Sequence, residues 1–303
     1  MKHYDCLIIG AGPCGIGAGL YLKEHNVNFA IINEGPIGGK INIAPRVDNY
    51  PGEHQIPGPD LAVKFFMRAR ENNLDIIGDN VVSLTKENDL FHLVCGHDEY
   101  TAKAVLIASG TKERKTGLPK EDELLGHGLS YCAICDGHFF KGVDILVAGG
   151  GNAALKEAIY LSNIVKHLYL IHRRNEFRGS AKLVEELKEK SNVEILTPYI
   201  PVEIIATDKV EGIRIRNVSD NSEKVLEVQG FFPIIGQIPN TQFVNIDGVL
   251  DEYKTIPVNK QMMSQVSGLF AGGDVLPRDI RQIYLAEHDG VVAAKWIIEY
   301  LGE

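Results

Sequence analysis

Residues 6 to 22 read CLIIGAGPCGIGAGLYL and decide the fold of the N-terminal part of the chain. An apolar run, a glycine-rich turn and a run of small and apolar residues predict a strand, a tight turn and a helix that lies close to its sheet. Gly10, Gly12 and Gly15 fit the dinucleotide-binding pattern, in which glycines allow the tight turn, the approach of backbone to a pyrophosphate and close helix packing. The stretch therefore predicts a Rossmann-like unit with phosphates at the helix N-terminus.

The next apolar stretch supports this interpretation. FAIINE, residues 29 to 34, predicts the second strand of the same unit, and Glu34 stands 24 residues after Gly10. A carboxylate at this place accepts hydrogen bonds from unmodified ribose hydroxyls. The combination favours a bound dinucleotide over a glycine-rich turn without a ligand.

The same pattern recurs in the middle of the chain, where residues 144 to 161 read DILVAGGGNAALKEAIYL. Gly149, Gly151 and Ala154 stand at the three fingerprint positions, between an apolar run and a helical run. The chain therefore contains an internal structural repeat, and we expect a second Rossmann-like unit.

The strand predicted after the second fingerprint, HLYLI at residues 167 to 171, ends in basic side chains instead of an acid. The HRR stretch at residues 172 to 174 lies 23 to 25 residues after Gly149, and Arg178 follows one helical turn later. Guanidinium groups pair with phosphate, which a carboxylate would repel. The first unit should hold a nucleotide with a free 2′-hydroxyl and the second one with a 2′-phosphate, a contrast that FAD and NADPH satisfy. A solvated, charged helix start is the alternative for the arginines.

Two crossovers divide the chain. Residues 104 to 119, AVLIASGTKERKTGLP, predict a strand that runs into a polar stretch with Gly and Pro, and FFPIIGQIPNT at residues 231 to 241 repeats this character. Residues 268 to 301 predict a further strand, the Gly273-Asp274 pair and a long helix with an apolar face. The second nucleotide unit thus stands between two parts of the first.

These elements predict an α/β fold of two Rossmann-like dinucleotide-binding domains, the second inserted into the first, with the crossovers paired as a two-stranded hinge. We assign an FAD-binding domain to residues 1–113 and 242–303. An NADPH-binding domain, which also carries the cysteine pair described below, is assigned to residues 114–241.

Composition excludes several other classes of protein. The 303 residues are enough for two domains, and 45% hydrophobic with 23% charged residues is ordinary for a globular protein. The net charge of −9 offers no basic surface to nucleic acid. The N-terminal apolar run breaks at Gly10, too early for a signal peptide or a membrane span. We therefore expect a cytosolic protein with no nucleic-acid or membrane partner.

Two of the five cysteines, Cys132 and Cys135, stand in YCAICDG at residues 131 to 137. Structural disulfides are rare in a reducing compartment. One pair supplies half of a structural zinc site, and His127 and His138 do not stand at a standard ligand spacing, so we predict no metal. A redox disulfide is favoured, because a helix start lowers the pKa of a thiol.

Asp136 follows the second cysteine directly. A carboxyl group there can carry the proton when a thiolate leaves or returns. An aspartate that only caps the helix is equally compatible with the local sequence. A flavin in the same chain would supply the electrons.

Taken together, the motifs resemble those of the low-molecular-weight thioredoxin reductases, which are FAD- and NADPH-dependent class II pyridine nucleotide-disulfide oxidoreductases. YCAICDG is similar to the redox centre of that family, and GGGNAA and HRRNEFR are similar to its NADPH motifs. GPIGGK at residues 35 to 40 resembles its flavin loop, with Lys40 in place of the usual glutamine. DNYPG at residues 48 to 52, GLFAGGD and RQI resemble its other flavin-binding segments. Their order and spacing cover essentially the whole chain.

The resemblance implies a set of site residues. For FAD these are Gly10, Ala11, Gly12, Pro13, Cys14, Gly15, Glu34, Gly38, Gly39, Lys40, Asn49, Val81, Gly273, Asp274, Arg281, Gln282 and Ile283. For NADPH they are Gly149, Gly151, Asn152, Ala153, His172, Arg173, Arg174 and Arg178. The catalytic residues are Cys132, Cys135 and Asp136.

The resemblance also implies a reaction. NADPH would pass a hydride to the flavin, which would reduce the Cys132–Cys135 disulfide. Cys135 would lie next to the flavin, and Cys132 would attack the disulfide of the protein substrate, thioredoxin. A homodimer and a domain rotation about residues near 113 to 117 and 236 to 241 are implied as well.

Other functions remain open from the sequence. The same fold could reduce another disulfide or a peroxidase partner, although no thioredoxin-like extension precedes the first unit, which argues against the fused kind. Ferredoxin could be the electron donor, although the arginine cluster argues against it. Outside the enzymes, the chain could be a redox sensor with a structural flavin.

Overall fold

A computed structural model describes residues 2–44, 47, 49–278 and 280–302, except for the side chains of residues 134 and 135. In chain order the strands are β1 (Lys2–Ile9), β2 (Phe29–Ile32), β3 (Ile76–Ile77), β4 (Val81–Glu87), β5 (Leu90–Cys95), β6 (Glu99–Ile107), β7 (Thr111–Glu113), β8 (Asp144–Ala148), β9 (His167–Ile171), β10 (Val193–Leu196), β11 (Tyr199–Ala206), β12 (Val210–Asn217), β13 (Glu223–Leu226), β14 (Gly230–Pro233), β15 (Gln237–Pro239) and β16 (Leu269–Ala271).

The helices are α1 (Pro13–Glu24), α2 (Gly58–Glu71), α3 (Ala133–Asp136), α4 (Asn152–Ser162), α5 (Ala181–Lys188) and α6 (Ile283–Leu301). Short 3₁₀ helices span Gly39–Ile43, Gly137–Phe140 and Gly273–Val275. None of the helices in the described part of the chain combines the length and the apolar character that a membrane span needs.

The first unit is built on a seven-stranded sheet in the order β3-β2-β1-β6-β5-β4, with β16 also paired to β6. Strands β2, β1, β6 and β16 are parallel, and their last residues Ile32, Ile9, Ile107 and Ala271 stand level with one another. The polypeptide therefore leaves all four strands at one edge of the sheet. Ligands of open α/β sheets bind at such an edge.

Both faces of this sheet are buried. Cys6 and Ile8 of β1 pack with apolar residues of α1, α2 and α6, while Leu7 and Ile9 pack on the other face with residues of β4 and β5. Side chains alternate between the faces of a strand, so a strand buried on both sides is apolar throughout. This explains the unbroken run CLII.

The second unit has its own parallel sheet in the order β10-β9-β8-β14 and an antiparallel sheet of β11, β12 and β13. Ala148, Ile171 and Pro233 end their strands side by side. Helix α4 connects β8 to β9 and packs with them in an apolar cluster. The predicted α/β class and the two Rossmann-like units are confirmed.

The chain divides into units Met1–Lys112 with Ile238–Glu303, and Glu113–Gln237. The connecting strands β7 and β15 pair as a two-stranded sheet. These bounds place Glu113 in the second unit and residues 238–241 in the first, unlike the boundaries assigned from sequence. Asn240 explains the second difference, because its backbone N–H donates to Gly110 O at 2.9 Å and its side chain donates to Ser109 O at 3.0 Å.

Candidate functional site

The three fingerprint glycines of the first unit differ in what they allow. Gly10 has a φ of +106°, and a Cβ added there would lie 2.5 Å from the Ala108 carbonyl oxygen. A Cβ at Gly15 would lie 1.9 Å from the Gly10 oxygen, whereas one at Gly12 would meet nothing within 4 Å. The fold itself thus requires glycine at two positions. The open space at Gly12, just before α1, fits a ligand pyrophosphate.

The fingerprint glycines of the second unit differ in the same way. A Cβ at Gly149 would lie 2.3 Å from the Ile234 oxygen, and one at Gly151, just before α4, would meet nothing within 4 Å. Gly150 is required for another reason, because a Cβ there would lie 2.3 Å from the ring of His172. Both helices therefore present open backbone amides at their N-termini.

The glycine-rich turn before α1 is held by hydrogen bonds to residues outside the fingerprint. Asn33 Oδ1 accepts a hydrogen bond from the Ala11 N–H at 2.9 Å, and the Ala11 oxygen accepts one from the Gly38 N–H at 2.8 Å. A Cβ at Gly39 would lie 3.6 Å from Gly12 Cα. The loop that carries Lys40 is thereby held against the fingerprint. Asn33 was not predicted from the sequence, although a polar residue directly after a buried strand is a usable signal.

The C-terminal segment approaches the same helix. Asp289 of α6 is 2% exposed, and its Oδ2 accepts a hydrogen bond from the Gly273 N–H at 2.9 Å and forms an ion pair with Arg278 at 2.8 Å. A Cβ at Gly272 would lie 2.7 Å from the Cys14 sulfur. The Gly273–Asp274 turn is therefore packed against the first turn of α1. Asp289 was also missed, because its partners lie far away in sequence.

Three positively charged side chains lie near Asp274. Burial raises the pKa of its carboxyl group, and the charges of Lys40, Arg281 and Arg278 act in the opposite direction. Arg281 has a buried Nε without a hydrogen-bond partner among the described groups. Three cations near an open pyrophosphate space, one with an unused donor, fit an anionic dinucleotide such as FAD.

The remaining predicted FAD residues fall into three places. Asn49 Nδ2 donates to Gln282 Oε1 at 2.8 Å, directly before Ile283 begins α6. Glu34 is exposed two residues after β2. Val81 begins β4 and is partly buried against the core cluster that contains Ile9 and Ile32. Their contacts with FAD stay predictions.

In the second unit a loop folds back over the fingerprint. The N–H groups of Arg178 and Gly179 donate to the Gly150 oxygen at 2.9 and 3.0 Å, and the Ser180 N–H donates to Asn152 Oδ1 at 2.8 Å. These bonds place the arginine-bearing loop beside the start of α4. Ala153 lies in the first turn of that helix and is exposed.

Arg173, Arg174 and Arg178 are exposed, and within the described part of the chain none of them pairs with a carboxylate. His172 is buried, and its ring stacks on Phe177 with centroids 5.3 Å apart. Burial and the charges of the three arginines lower the pKa of His172, so its ring is neutral at pH 7. Unpaired guanidinium groups next to open helix amides fit the 2′-phosphate and pyrophosphate of NADPH.

The cysteine motif forms one turn of helix. Cys132 immediately precedes α3, is disulfide-bonded, and donates its N–H to Ser130 Oγ at 3.0 Å. The Cys135 side chain lies outside the described part of the structure, so its pairing and role stay predictions. The four residues of α3 form a smaller dipole than the predicted helix start would have supplied. Asp136 makes no capping hydrogen bond to the following 3₁₀ helix, which removes the capping alternative.

Two carboxyl groups that were not predicted from the sequence flank this motif. Glu157 Oε2 on α4 accepts a hydrogen bond from the Ala133 N–H at 3.0 Å. Glu121, 4% exposed, accepts one from Tyr131 Oη at 2.5 Å and others from residues 116 and 117. Both lie more than ten residues away from Cys132 in the sequence. No spacing rule marks such residues.

The other cysteines do not enter the site as thiols. Cys6, Cys14 and Cys95 are free and buried, and burial raises the pKa of each. Among the described residues no cluster of three or more His, Cys, Asp or Glu could hold a metal ion.

Comparisons with known proteins agree with this geometry. The family model for pyridine nucleotide-disulphide oxidoreductases matches residues 4–290. A thioredoxin reductase from Mycoplasma pneumoniae is 39% identical over 98% of this chain and 95% of its own length. The structure of Lactococcus lactis thioredoxin reductase in its FR conformation is 31% identical, covers 99% of both chains and has a TM-score of 0.86.

One further structure bears on the electron donor. A ferredoxin-flavin thioredoxin reductase from Clostridium acetobutylicum is 29% identical over 100% of this chain and 99% of its own, with a TM-score of 0.56. The fold alone thus does not decide which donor is used. The match of the family model over most of the sequence shows that this chain belongs to the pyridine nucleotide-disulphide oxidoreductase family.

Proposed function

We propose that the protein is a thioredoxin-disulfide reductase that uses FAD and NADPH. The observation that carries this proposal is the disulfide at Cys132, in the unit that also holds the arginine-flanked fingerprint. Full-length similarity to proteins named thioredoxin reductase supports the substrate class. Bound FAD and NADPH would supply the two electrons that open the disulfide.

The two cysteines and Asp136 have different roles in the proposed reaction. Reduction of the Cys132–Cys135 disulfide takes up two electrons and two protons and leaves two thiols. The Cys132 thiolate attacks one sulfur of the thioredoxin disulfide, which forms a mixed disulfide and releases a thiolate. Cys135 then attacks Cys132, releases the second thioredoxin thiol and restores the original disulfide. Asp136, which is only partly exposed and has no capping bond, holds or delivers a proton in these steps.

NADPH is the proposed donor because of the arginine loop. Three exposed guanidinium groups beside α4 match a 2′-phosphate, which NADH lacks and ferredoxin does not present. The first unit has Glu34 at the corresponding place, and a carboxylate there suits the unmodified ribose of FAD.

The proposal includes a cellular location and a state of assembly. Free thiols at three buried cysteines agree with a reducing cytosol. The family resemblance supports a homodimer, which sedimentation at several protein concentrations would test.

The cysteine role is tested with Cys132→Ser. With NADPH and a bacterial thioredoxin, we expect the variant to lose thioredoxin reduction while NADPH still bleaches its flavin absorbance. Cys95→Ala removes a buried thiol of the first unit and serves as the matched control, which should keep both activities. Turnover that survives in Cys132→Ser would contradict the proposal. Bleaching by reduced ferredoxin but not by NADPH would overturn the donor.

A further inference from the structure

Glu157 stands beside the redox cysteine without belonging to any motif. Its Oε2 accepts the Ala133 N–H at 3.0 Å, and Ala133 follows Cys132 in the chain. Standard covalent dimensions then place this oxygen about 5 Å or less from Cys132 Cα. The carboxyl group is therefore close enough for its charge to act on the thiol that forms when the disulfide is reduced.

Helix α4, which carries Glu157, packs in an apolar cluster. Strands β8 and β9 and helix α5 pack against α4 through aliphatic side chains, namely Ile145, Val147, Leu168, Leu170, Leu183, Val184 and Leu187. The titratable groups beside Glu157 are Cys132, which precedes the Ala133 N–H that Glu157 accepts, and Glu113 at the end of β7, whose charge acts on it. On α4 itself Lys156 is the neighbouring residue and is exposed.

This setting makes Glu157 change charge near neutral pH. Burial, and after it the negative charge of Glu113, raise its pKa to about 7 against the opposing effect of the Ala133 N–H. The carboxyl group is therefore neutral below about pH 7 and negative above it.

We propose that Glu157 is a positioning residue that holds the start of the redox helix and, by gaining or losing its charge, sets the reactivity of Cys132. This inference rests on the proposed function. When Glu157 is neutral, nothing on α4 opposes a thiolate at Cys132. When it is ionised, two negative charges lie side by side, and the Cys132 thiolate forms less readily.

The test measures thiol reactivity directly. In the full-length flavoprotein with Cys135→Ser, which leaves Cys132 without its predicted disulfide partner, iodoacetamide labelling of Cys132 is followed by peptide mass spectrometry from about pH 6 to 9. Cys6, Cys14 and Cys95 are buried and should label slowly. Adding Glu157→Gln keeps the shape and the hydrogen-bond acceptor but removes the charge.

We expect the two labelling profiles to coincide near pH 6 and to separate above pH 7. At pH 8 Glu157→Gln should be labelled roughly threefold to tenfold faster, which corresponds to a change of up to about one pKa unit in the Cys132 thiol. Glu186→Gln, which removes an exposed charge of α5, should follow the parent protein at every pH. Coincident profiles at pH 8 would overturn the proposal. So would slower labelling of Glu157→Gln, which would mean that the carboxylate acts as a base.

A second variant keeps the proposal falsifiable if Glu157→Gln folds poorly. Glu113→Gln removes the charge that raises the pKa of Glu157, so the suppression of labelling should begin at a lower pH than in the parent. An unchanged onset would contradict the proposal. Because labelling needs neither NADPH nor thioredoxin, these outcomes are independent of whether the protein reduces thioredoxin.

Discussion

Gly12 and Gly15 lie three residues apart and should respond in opposite ways to alanine. Gly12 has extended backbone angles and open space around a Cβ, so Gly12→Ala should fold normally and lose bound FAD. In Gly15→Ala the new Cβ would lie 1.9 Å from the Gly10 oxygen. The gain of about 1 kcal/mol in helix propensity cannot offset this clash, so we expect several kcal/mol of destabilisation.

Thermal unfolding of the FAD-free proteins, together with flavin content after purification, separates these effects. Each variant is the control for the other. The proposed roles of the two glycines would be contradicted if Gly15→Ala unfolded at the same temperature as the parent protein. They would also be contradicted if Gly12→Ala kept its flavin through dialysis.

At the residue scale, the sequence predicts those groups whose partners are local. The fingerprint glycines and the arginines after β9 follow fixed spacings, because a turn or a strand end places them. Asn33, Asp289 and Glu157 follow none, because their partners are 22, 16 and 24 residues away. Such contacts depend on which helix packs against which turn. Only the folded chain defines them.

At the scale of elements, Glu121 connects the segment after β7 to the residue before the redox helix. It accepts hydrogen bonds from the Thr116 N–H and Oγ1, the Gly117 N–H and Tyr131 Oη. Burial alone would raise the pKa of Glu121, but these donors outweigh it and hold the pKa below its usual value. The ionised carboxylate therefore stabilises the second unit.

Glu121→Gln should lower the free energy of unfolding by about 2 kcal/mol at pH 7, because its amide NH₂ would face groups that are themselves donors. A depressed pKa contributes stability above its unfolded value near 4.5 and loses it as the pH falls through the folded value. The difference from the parent should thus shrink below about pH 4.5 in urea unfolding. Exposed Glu123→Gln is the control. A difference that is constant with pH would show that the hydrogen bonds, and not the charge, matter.

The strands and helices that could be predicted are those that belong to a nucleotide-binding sequence pattern. Strands β1, β2, β8 and β9 and the helices after the glycine turns follow from the two fingerprints. The antiparallel pairs β4–β5 and β11–β12 carry no such pattern, and their register depends on partner strands and on bulges near Val81 and Pro201. The redox helix has only the four residues Ala133–Asp136, because a 3₁₀ helix begins at Gly137.

At the scale of the whole molecule, the first unit consists of two stretches of chain separated by the entire second unit. Its site joins Gly10 and Asn33 from the first stretch to Asp274 and Asp289 from the second. The inserted unit contains a complete fingerprint, the arginine loop and Cys132. Each fingerprint and its charged neighbours therefore lie within one unit, and the proposed function assigns the flavin to the first unit and the disulfide to the second.

This division predicts the stoichiometry of reduction. In an anaerobic titration of the flavoprotein, about two equivalents of NADPH per chain should be consumed, one for the flavin and one for the disulfide. Cys132→Ser should consume about one, because only the flavin remains. NADH should reduce both centres only at much higher concentration, since it lacks the 2′-phosphate that the proposed function assigns to the arginines.

Arg178→Gln connects this stoichiometry to the arginine loop. Loss of one guanidinium–phosphate pair, worth about 1.5 kcal/mol, should raise the NADPH concentration for half-reduction about tenfold and leave the NADH value unchanged. Lys182→Gln, which removes an exposed positive charge from α5, should change neither. Equal losses with both nucleotides would mean that Arg178 supports the loop itself.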